Sequence, residues 1–407
     1  MKLVSVNFQD LPLDRALPFA LRDASGRLLL GAGTTVTDDR QRQELLEQPL
    51  FAEEHHCAEW RRRVAAAMDQ QLRQGAALKD VVRALPDAAP REPVARTLST
   101  GEHWFELRSR LDTTLRELRP DTDWRSRLQE LHARSRAMTD KRFDESLYYL
   151  VYEGVHFTEH YSAHHAWITQ VVAERVARML GWPQAEIDSL GLAALTMNVS
   201  MLRLQDQLAM AHAPPTPHQR REIDTHAARS AAQLSGAGLA DMLAIEAVLH
   251  HHDASTDNEP LSSQPPARRL ARLLRRVDIF GAKIRRRAAR PAMSPLMAAR
   301  QACLGPNGQP DEVGSALLRS VGLYPPGSFV ELASGEIGIV VSRGRRANLP
   351  LVAALISANG DVYAEPMLRD TLEQRHAVKA AVLPERVKVR FVHEKVLALA
   401  AAASRLH

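Results

Sequence analysis

The chain has 407 residues, of which 45% are hydrophobic, 25% are charged and 5% are aromatic. This length predicts roughly two or three domains and suffices to bury a core without disulfides or a structural metal. The two cysteines, Cys57 and Cys303, match no ligand spacing, which excludes a disulfide framework. A formal net charge of +5 does not demand a nucleic-acid partner. Because there is no membrane-length apolar run and no signal-peptide core, we expect a cytoplasmic protein without membrane insertion.

The N-terminal part is predicted to be a small β-containing module, residues 1–52. Its apolar runs at 17–21 and 28–30 flank a turn-like segment at 23–26, which indicates a hairpin. Residues 53–102 are predicted to be a helix, over 53–83, and a linker. The linker prediction rests on residues 86–93, which hold three prolines in eight positions and therefore interrupt any helix.

Residues 103–320 have the apolar periodicity of helices. Apolar stripes run from Trp104 to Leu118 and from Trp124 to Met138, and a third helix with His165 on its face ends at Gly181. Thr216, Pro217 and Gln219 predict a capped helix that carries His226. Residues 321–407 are predicted to form a small β-rich module, with β-like runs at 329–332, 337–341, 351–356 and 387–392 and a final helix at 394–403.

The helical region carries an ordered series of candidate metal ligands: His165, His226, His250-His251-His252 and Asp278. Histidine and aspartate bind borderline and hard divalent metals, and a site drawn from several helices would resemble the metal centres of helical bundles. Three consecutive histidines cannot all face one point on a helix, although two can near a helix end. Taken singly, each residue is better explained without a metal: His165 and His226 as hydrogen-bonded core histidines, the 250–253 run as a solvated helix end, and Asp278 as a surface ion pair.

An arginine-rich helix follows between residues 268 and 290. Arg285 and Arg286 are candidate phosphate-binding residues because guanidinium groups suit phosphate. We favour the alternative that these arginines pair with acidic neighbours. A nucleic-acid partner is disfavoured, because basic and aromatic residues do not alternate and no nucleic-acid-binding motif is present.

The order of these residues resembles the HD-GYP branch of the HD phosphohydrolase superfamily. The matching features are listed in chain order: His165 on a helix that ends at Leu180-Gly181, the apolar segment 192–201, His226, His251-His252-Asp253, and Asp278 within 277–282. The resemblance implies a cyclic di-GMP phosphodiesterase with two or three metals, usually iron or manganese. In that family the aspartate of a His-Asp pair bridges two metals, and the bridging water attacks phosphorus.

This chain departs from the family at the positions that carry charge. Met197 and Asn198 stand at the His-Asp pair, Met201 replaces the phosphate-binding lysine, and the Gly-Tyr-Pro motif is absent after Asp253. A thioether is a poor ligand for iron or manganese, and a neutral amide does not supply the negative charge that holds two cations together. No catalytic residue is therefore expected.

The sequence thus predicts a mainly α protein, an HD-GYP-like helical bundle flanked by small β-rich N-terminal and C-terminal modules. We expect a non-catalytic signalling protein that binds a partner protein or cyclic di-GMP, with no cofactor. The alternative is a metal-dependent phosphodiesterase acting on cyclic di-GMP. It would use one divalent metal (zinc, iron or manganese) held by His226, His251 and His252, with His165 and Asp278 as further candidate ligands.

Overall fold

The structure is a computed structural model. It describes residues 3–7, 16–24, 26, 28–36, 45, 49–74, 98–255, 257–288, 293–305 and 308–403. The chain divides into two compact units, one comprising Met1–Leu98 and Arg390–Val392 and the other Ser99–Val389 and His393–His407. The helical region and the C-terminal β-rich segment therefore share the second unit. The boundaries of the four predicted segments stay predictions.

The first unit contains a small antiparallel sheet followed by a helix. Its elements are β1 (Leu3–Val6), β2 (Leu21–Arg22), β3 (Leu28–Leu30), β4 (Leu50–Glu53) and α1 (Glu54–Arg73), with the strands in the order β1-β4-β2-β3. The predicted hairpin is confirmed, since Leu21 pairs with Leu30. The described part of the predicted 53–83 helix ends at Arg73, and the proline-rich linker lies outside the described residues.

Helices form most of the second unit, as predicted. In chain order they are α2 (Thr100–Arg116), α3 (Trp124–His156), α4 (Tyr161–Met179), α5 (Gln184–Thr196), α6 (Leu202–Met210), α7 (Pro217–Gly236), α8 (Met242–His250), α9 (Pro266–Ile284), α10 (Pro295–Cys303) and α11 (Glu312–Val321).

Helix α4 is central to this bundle and packs against α2, α3, α5, α9 and α11. Its Trp167 meets Trp104 of α2 edge to face, with ring centroids 5.7 Å apart, and both rings are buried. Each aromatic side chain buries a large apolar area, so this pair fixes α2 against α4. The helix ends where the sequence predicts, since Gly181 has a φ of +73°, which glycine adopts without steric cost.

A five-stranded antiparallel sheet follows the bundle. It contains β5 (Phe329–Leu332), β6 (Ile337–Ser342), β7 (Leu351–Ile356), β8 (Val362–Asp370) and β9 (Val378–Val382) in the order β8-β7-β6-β5-β9, and α12 (His393–Ala403) comes after it. Gly327 precedes the sheet with a φ of +89°, and an added Cβ would overlap the backbone of Tyr148 in α3. Only glycine fits where the sheet approaches α3 so closely.

One predicted strand is wrong. Residues 387–392 form no strand in the structure, although their alternation of apolar and basic residues is typical of one. The second edge strand of the sheet is β9, which pairs with β5, so residues 387–392 are not needed to complete the sheet. Among the described residues, no helix combines the length and apolarity that a membrane crossing requires.

The arginines at the start of α9 support the ion-pair interpretation. Their carboxylate partners come from neighbouring elements, in the pairs Arg268–Asp253, Arg269–Glu186, Arg275–Asp257, Arg272–Asp311 and Arg276–Asp311. Arg272 and Arg276 are only 4% exposed, so they hold α9 to Asp311, the cap of α11, and offer little surface to nucleic acid.

Candidate metal centre

Three of the five predicted ligands converge on one point. The Nε2 atom of His226, on α7, lies 3.2 Å from Nε2 of His251 and 3.3 Å from Nε2 of His252. His226 and His251 are buried, while His252 is exposed. Two nitrogens that each bind a tetrahedral zinc at about 2.0 Å lie roughly 3.3 Å apart, so both distances fit ligands of one ion.

Backbone contacts fix the tautomers of the two buried rings. His226 donates its Nδ1 hydrogen to the carbonyl of Ile223 at 2.5 Å, and His251 donates its own to the carbonyl of Val248 at 2.6 Å. In a neutral ring the Nε2 atom then carries a lone pair. Two lone pairs that face each other at 3.2 Å repel unless a cation lies between them, and such Nδ1 contacts typically orient histidine ligands.

The surroundings favour neutral histidines. Burial lowers the pKa of the His251 imidazole to about 3, and the neighbouring His252 adds to this effect. Burial also lowers the pKa of His226. Because metals bind the neutral ring, both side chains are in the ligand form at neutral pH.

The other two predicted ligands form a separate pair. His165, on α4, donates its Nε2 hydrogen to Oδ1 of Asp278, on α9, at 2.8 Å. Burial alone would raise the pKa of Asp278, but the hydrogen bond and the charge of His165 hold it well below its usual value. The carboxylate charge in turn raises the pKa of His226 and His251, opposing the effect of burial, so Asp278 acts electrostatically on the cluster.

A turn with altered chemistry adjoins the His226 helix. Met197 and Asn198 follow the end of α5 and are 1% and 8% exposed. They lead into the short 3-10 turn Val199–Met201, which packs against α7. This turn offers an amide and two thioethers where the HD-GYP resemblance implies a histidine, an aspartate and a lysine.

Two serines that the sequence did not single out as functional hold this turn. Ser200 donates its hydroxyl to the backbone carbonyl of His226 at 3.0 Å, and Ser230 donates to the Ser200 hydroxyl at 2.9 Å. Ser230 follows His226 by one helical turn and so shares its face of α7, a spacing that could have indicated this supporting role.

The remaining candidates do not join the cluster. His250 ends α8 outside the group of convergent nitrogens, so the two histidines beyond the helix end are the ones that turn towards His226. Asp253 pairs with Arg268. Arg285 is buried over the ring of Tyr161, with Cζ 3.8 Å from the centroid, and donates to the Tyr161 carbonyl, whereas Arg286 is exposed. The phosphate-binding role of these arginines stays a prediction.

The donor set therefore fits one divalent cation. Three imidazole nitrogens within 4.8 Å of one another satisfy a three-histidine site with a fourth position left for water or a ligand. The set does not fit two bridged cations, because Asn198 carries no charge to offset their repulsion.

No model of a known protein family matches the chain. Over 191 residues the chain is 27% identical to a cyclic di-GMP phosphodiesterase from Pseudomonas aeruginosa; the match covers 46% of this chain and 46%, slightly under half, of that relative. An HDG"Y"P protein from Bdellovibrio bacteriovorus gives a TM-score of 0.43 at 12% identity, over 78% of this chain and 98% of that one. The aligned relative confirms the resemblance to HD-GYP proteins that the motifs predict.

Proposed function

We propose that the second unit is a signalling domain that binds cyclic di-GMP through one divalent cation and does not hydrolyse it. His226, His251 and His252 would hold the cation. The observation that carries the proposal is their convergence, with Nε2 atoms 3.2 and 3.3 Å apart, beside a turn that has Asn198 in place of an anion.

The retained and the lost groups have different tasks. A bound divalent cation supplies positive charge for an anionic phosphate oxygen. The three histidines suffice for that task, because a neutral imidazole cluster leaves the charge of the cation unneutralised. Hydrolysis through a bridged pair of metals needs the anion that Asn198 has replaced. We therefore infer that the domain has kept ligand binding and lost hydrolysis. The substrate named for the aligned Pseudomonas relative supports cyclic di-GMP as the ligand.

Hydrolysis by a single metal is the second candidate. It is favoured by the open fourth position, since three-histidine zinc sites elsewhere activate a bound water. The two functions differ in turnover, because both require the histidines and only one cleaves the ligand.

The test uses the full chain loaded separately with zinc, manganese or iron(II). Metal content is measured by mass spectrometry, cyclic di-GMP binding by calorimetry, and turnover by chromatography. We expect one cation per chain, saturable binding that requires it, and no turnover above the blank. His251→Ala should lose both metal and ligand, whereas the control His218→Ala, exposed on the helix that carries His226, should keep them.

Other results would reject the proposal. Turnover that His251→Ala abolishes would establish the hydrolase instead. A chain that binds neither cation nor cyclic di-GMP would contradict both functions and leave binding of a protein partner.

A further inference from the structure

A cavity in the same unit as the histidine cluster shares no lining residue with it. It is a cleft of about 1130 Å³ bordered by α3, the segment that connects β6 to β7, and α12. This volume is slightly above the roughly 300–1,000 Å³ of small-molecule sites. Helix α3 is interrupted here, because Arg142 has the non-helical dihedrals φ −142° and ψ 55°, and the residues on either side of it line the cleft.

Two arginines flank one aromatic ring in this cleft. The Cζ atom of Arg175, on α4, lies 5.1 Å from the centroid of Phe143, and that of Arg343 lies 4.6 Å from it. Cation–π contacts of this kind hold guanidinium groups in place while their N–H edges stay available. Both arginines and Phe143 line the cleft.

The two guanidinium groups differ in their partners. Arg343 pairs with Asp144 and donates to the Ser320 carbonyl at 3.0 Å. Arg175 has no ion pair among the described residues, and its Nε atom is buried without a hydrogen-bond partner. Burial and the charge of Arg343 lower its pKa. Asp144 and Asp140 act on Arg175 electrostatically without forming a direct ion pair with it. A bound oxyanion would supply the direct charge-assisted contact that this half-buried guanidinium lacks among the described residues.

The rest of the lining limits the ligand further. Leu349, Leu372 and Leu397 provide an apolar wall. Five carboxylates line the cleft beside five basic side chains, so the lining has no net positive charge to attract a second anionic group. The carboxylates are Asp140, Asp144, Glu145, Asp370 and Glu394. The lining thus suits one anionic head attached to an apolar body.

We propose that this cleft binds a small organic oxyanion, with one phosphate or carboxylate head held by Arg175 beside Phe143 and an apolar body against the leucines. This site is independent of the proposed function. Helix α4 carries both Arg175 and His165, ten residues or about 15 Å of helix apart, so it links the cleft to the histidine region.

Calorimetry with the full chain tests this site with three probes: hexyl phosphate, hexanoate and inorganic phosphate. We expect saturable binding of hexyl phosphate, hexanoate or both. The probe that binds more tightly identifies whether the site prefers a phosphate or a carboxylate head. Inorganic phosphate should bind more weakly than hexyl phosphate, because it lacks the apolar body. Arg175→Gln should weaken binding roughly 10- to 100-fold, as expected for loss of a charge-assisted contact. The control Arg319→Gln, an exposed arginine outside the cleft, should change nothing.

The variants also separate binding from folding. Arg175→Gln should unfold at a temperature close to that of the wild type, because the lost contact with Phe143 is offset by relief of the repulsion from Arg343. It should still bind cyclic di-GMP. Arg175→Lys keeps the charge without the guanidinium fork and should bind the hexyl probe with intermediate affinity. The proposal is overturned if neither hexyl probe binds the native chain, if both arginine variants bind it normally, or if inorganic phosphate binds as tightly as hexyl phosphate.

Discussion

Asp278 accepts a 2.8 Å hydrogen bond from His165, which lies 113 residues earlier in the chain. The bond joins α9 to α4 and leaves the Nδ1 atom of His165 buried without a partner. Because the carboxylate stays ionised despite its burial, it acts as one negative charge on the buried, neutral imidazoles of His226 and His251. The pair thus provides a fixed anion for any cation that the histidines hold.

The first prediction concerns this anion. Asp278→Asn keeps the shape of the side chain and removes its charge, so we expect metal affinity to fall about 10- to 100-fold, as for other residues that support metal ligands. The free energy of unfolding should fall by about 1–3 kcal/mol, because a hydrogen bond to a charged group is lost. Metal titration and denaturant unfolding measure the two effects. Asp224→Asn, exposed on α7, is the control; equal metal affinities in the two variants would contradict the prediction.

The second prediction restores the lost anion. The double substitution Met197→His with Asn198→Asp should raise the metal content from one to two cations per chain, because a carboxylate would again lie between the cations. Met201→Lys alone is the control and should leave the content at one. Mass spectrometry under non-denaturing conditions counts the metal ions bound to each variant. A stoichiometry that stays at one in the double variant would mean that the turn no longer holds the family geometry.

Much of the helical fold follows from the sequence for a simple reason. Apolar stripes such as the one from Trp104 to Leu118 specify both the helix and its buried face. All five apolar residues of that stripe are buried: Trp104, Leu107, Leu111, Leu115 and Leu118. The signals for helix ends also predicted the structure correctly. Thr216 and Gln219 form the predicted capping box, with Pro217 in the first turn of α7. These signals are local, so neighbouring residues suffice to read them.

Tertiary choices were harder to predict. The sequence left open which of His250, His251 and His252 turn inward, since the answer depends on where α8 ends. It also did not identify the Arg175–Phe143–Arg343 group, whose members come from three separate elements. Residues 387–392 have the alternation of a strand. A strand also needs a neighbouring strand to pair with, however, and that depends on the tertiary fold and not on the local sequence.

The third prediction concerns a buried carboxylate of the C-terminal sheet. Glu336 accepts hydrogen bonds from Arg369 at 2.7 Å, Tyr363 at 2.9 Å and Ser334 at 2.7 Å, which hold the turn before β6 to β8. The bond from Arg369 is the main reason that the pKa of Glu336 falls to about 2 from 4.5. Glu336→Gln should therefore lower the free energy of unfolding by about 1–2 kcal/mol at neutral pH.

The pH dependence gives this prediction its sign. A carboxylate whose pKa is lowered by folding stabilises the fold at pH values above the pKa that it has in the unfolded chain. The contribution of Glu336 is therefore complete above pH 4.5 and disappears as the pH falls towards 2. The difference between wild type and Glu336→Gln in denaturant unfolding should shrink over that interval. Glu331→Gln, which removes an exposed pair with Lys379, should cost no more than about 0.5 kcal/mol. A gap that persists at pH 2 would exclude ionisation of Glu336 as its cause.

The fourth prediction concerns close packing in the bundle core. Gly191, on α5, faces a buried network in which Glu174 contacts His132 and accepts a 2.8 Å hydrogen bond from Gln170. A Cβ at position 191 would overlap both Glu174 and His132. Gly191→Ala should therefore lower the free energy of unfolding by about 3 kcal/mol, from overpacking and from disrupted hydrogen bonds to a buried charge.

The matched substitution is Gly236→Ala, at the exposed end of α7, where an added Cβ meets nothing within 4 Å. There the smaller conformational freedom of alanine in the unfolded chain should leave stability unchanged or raise it by about 0.5–1 kcal/mol. Denaturant unfolding of both variants separates packing from chain entropy, because only position 191 lies against the network. If the two alanines gave the same stability, the contact of Gly191 with Glu174 and His132 would not limit the packing of α5 against α3 and α4.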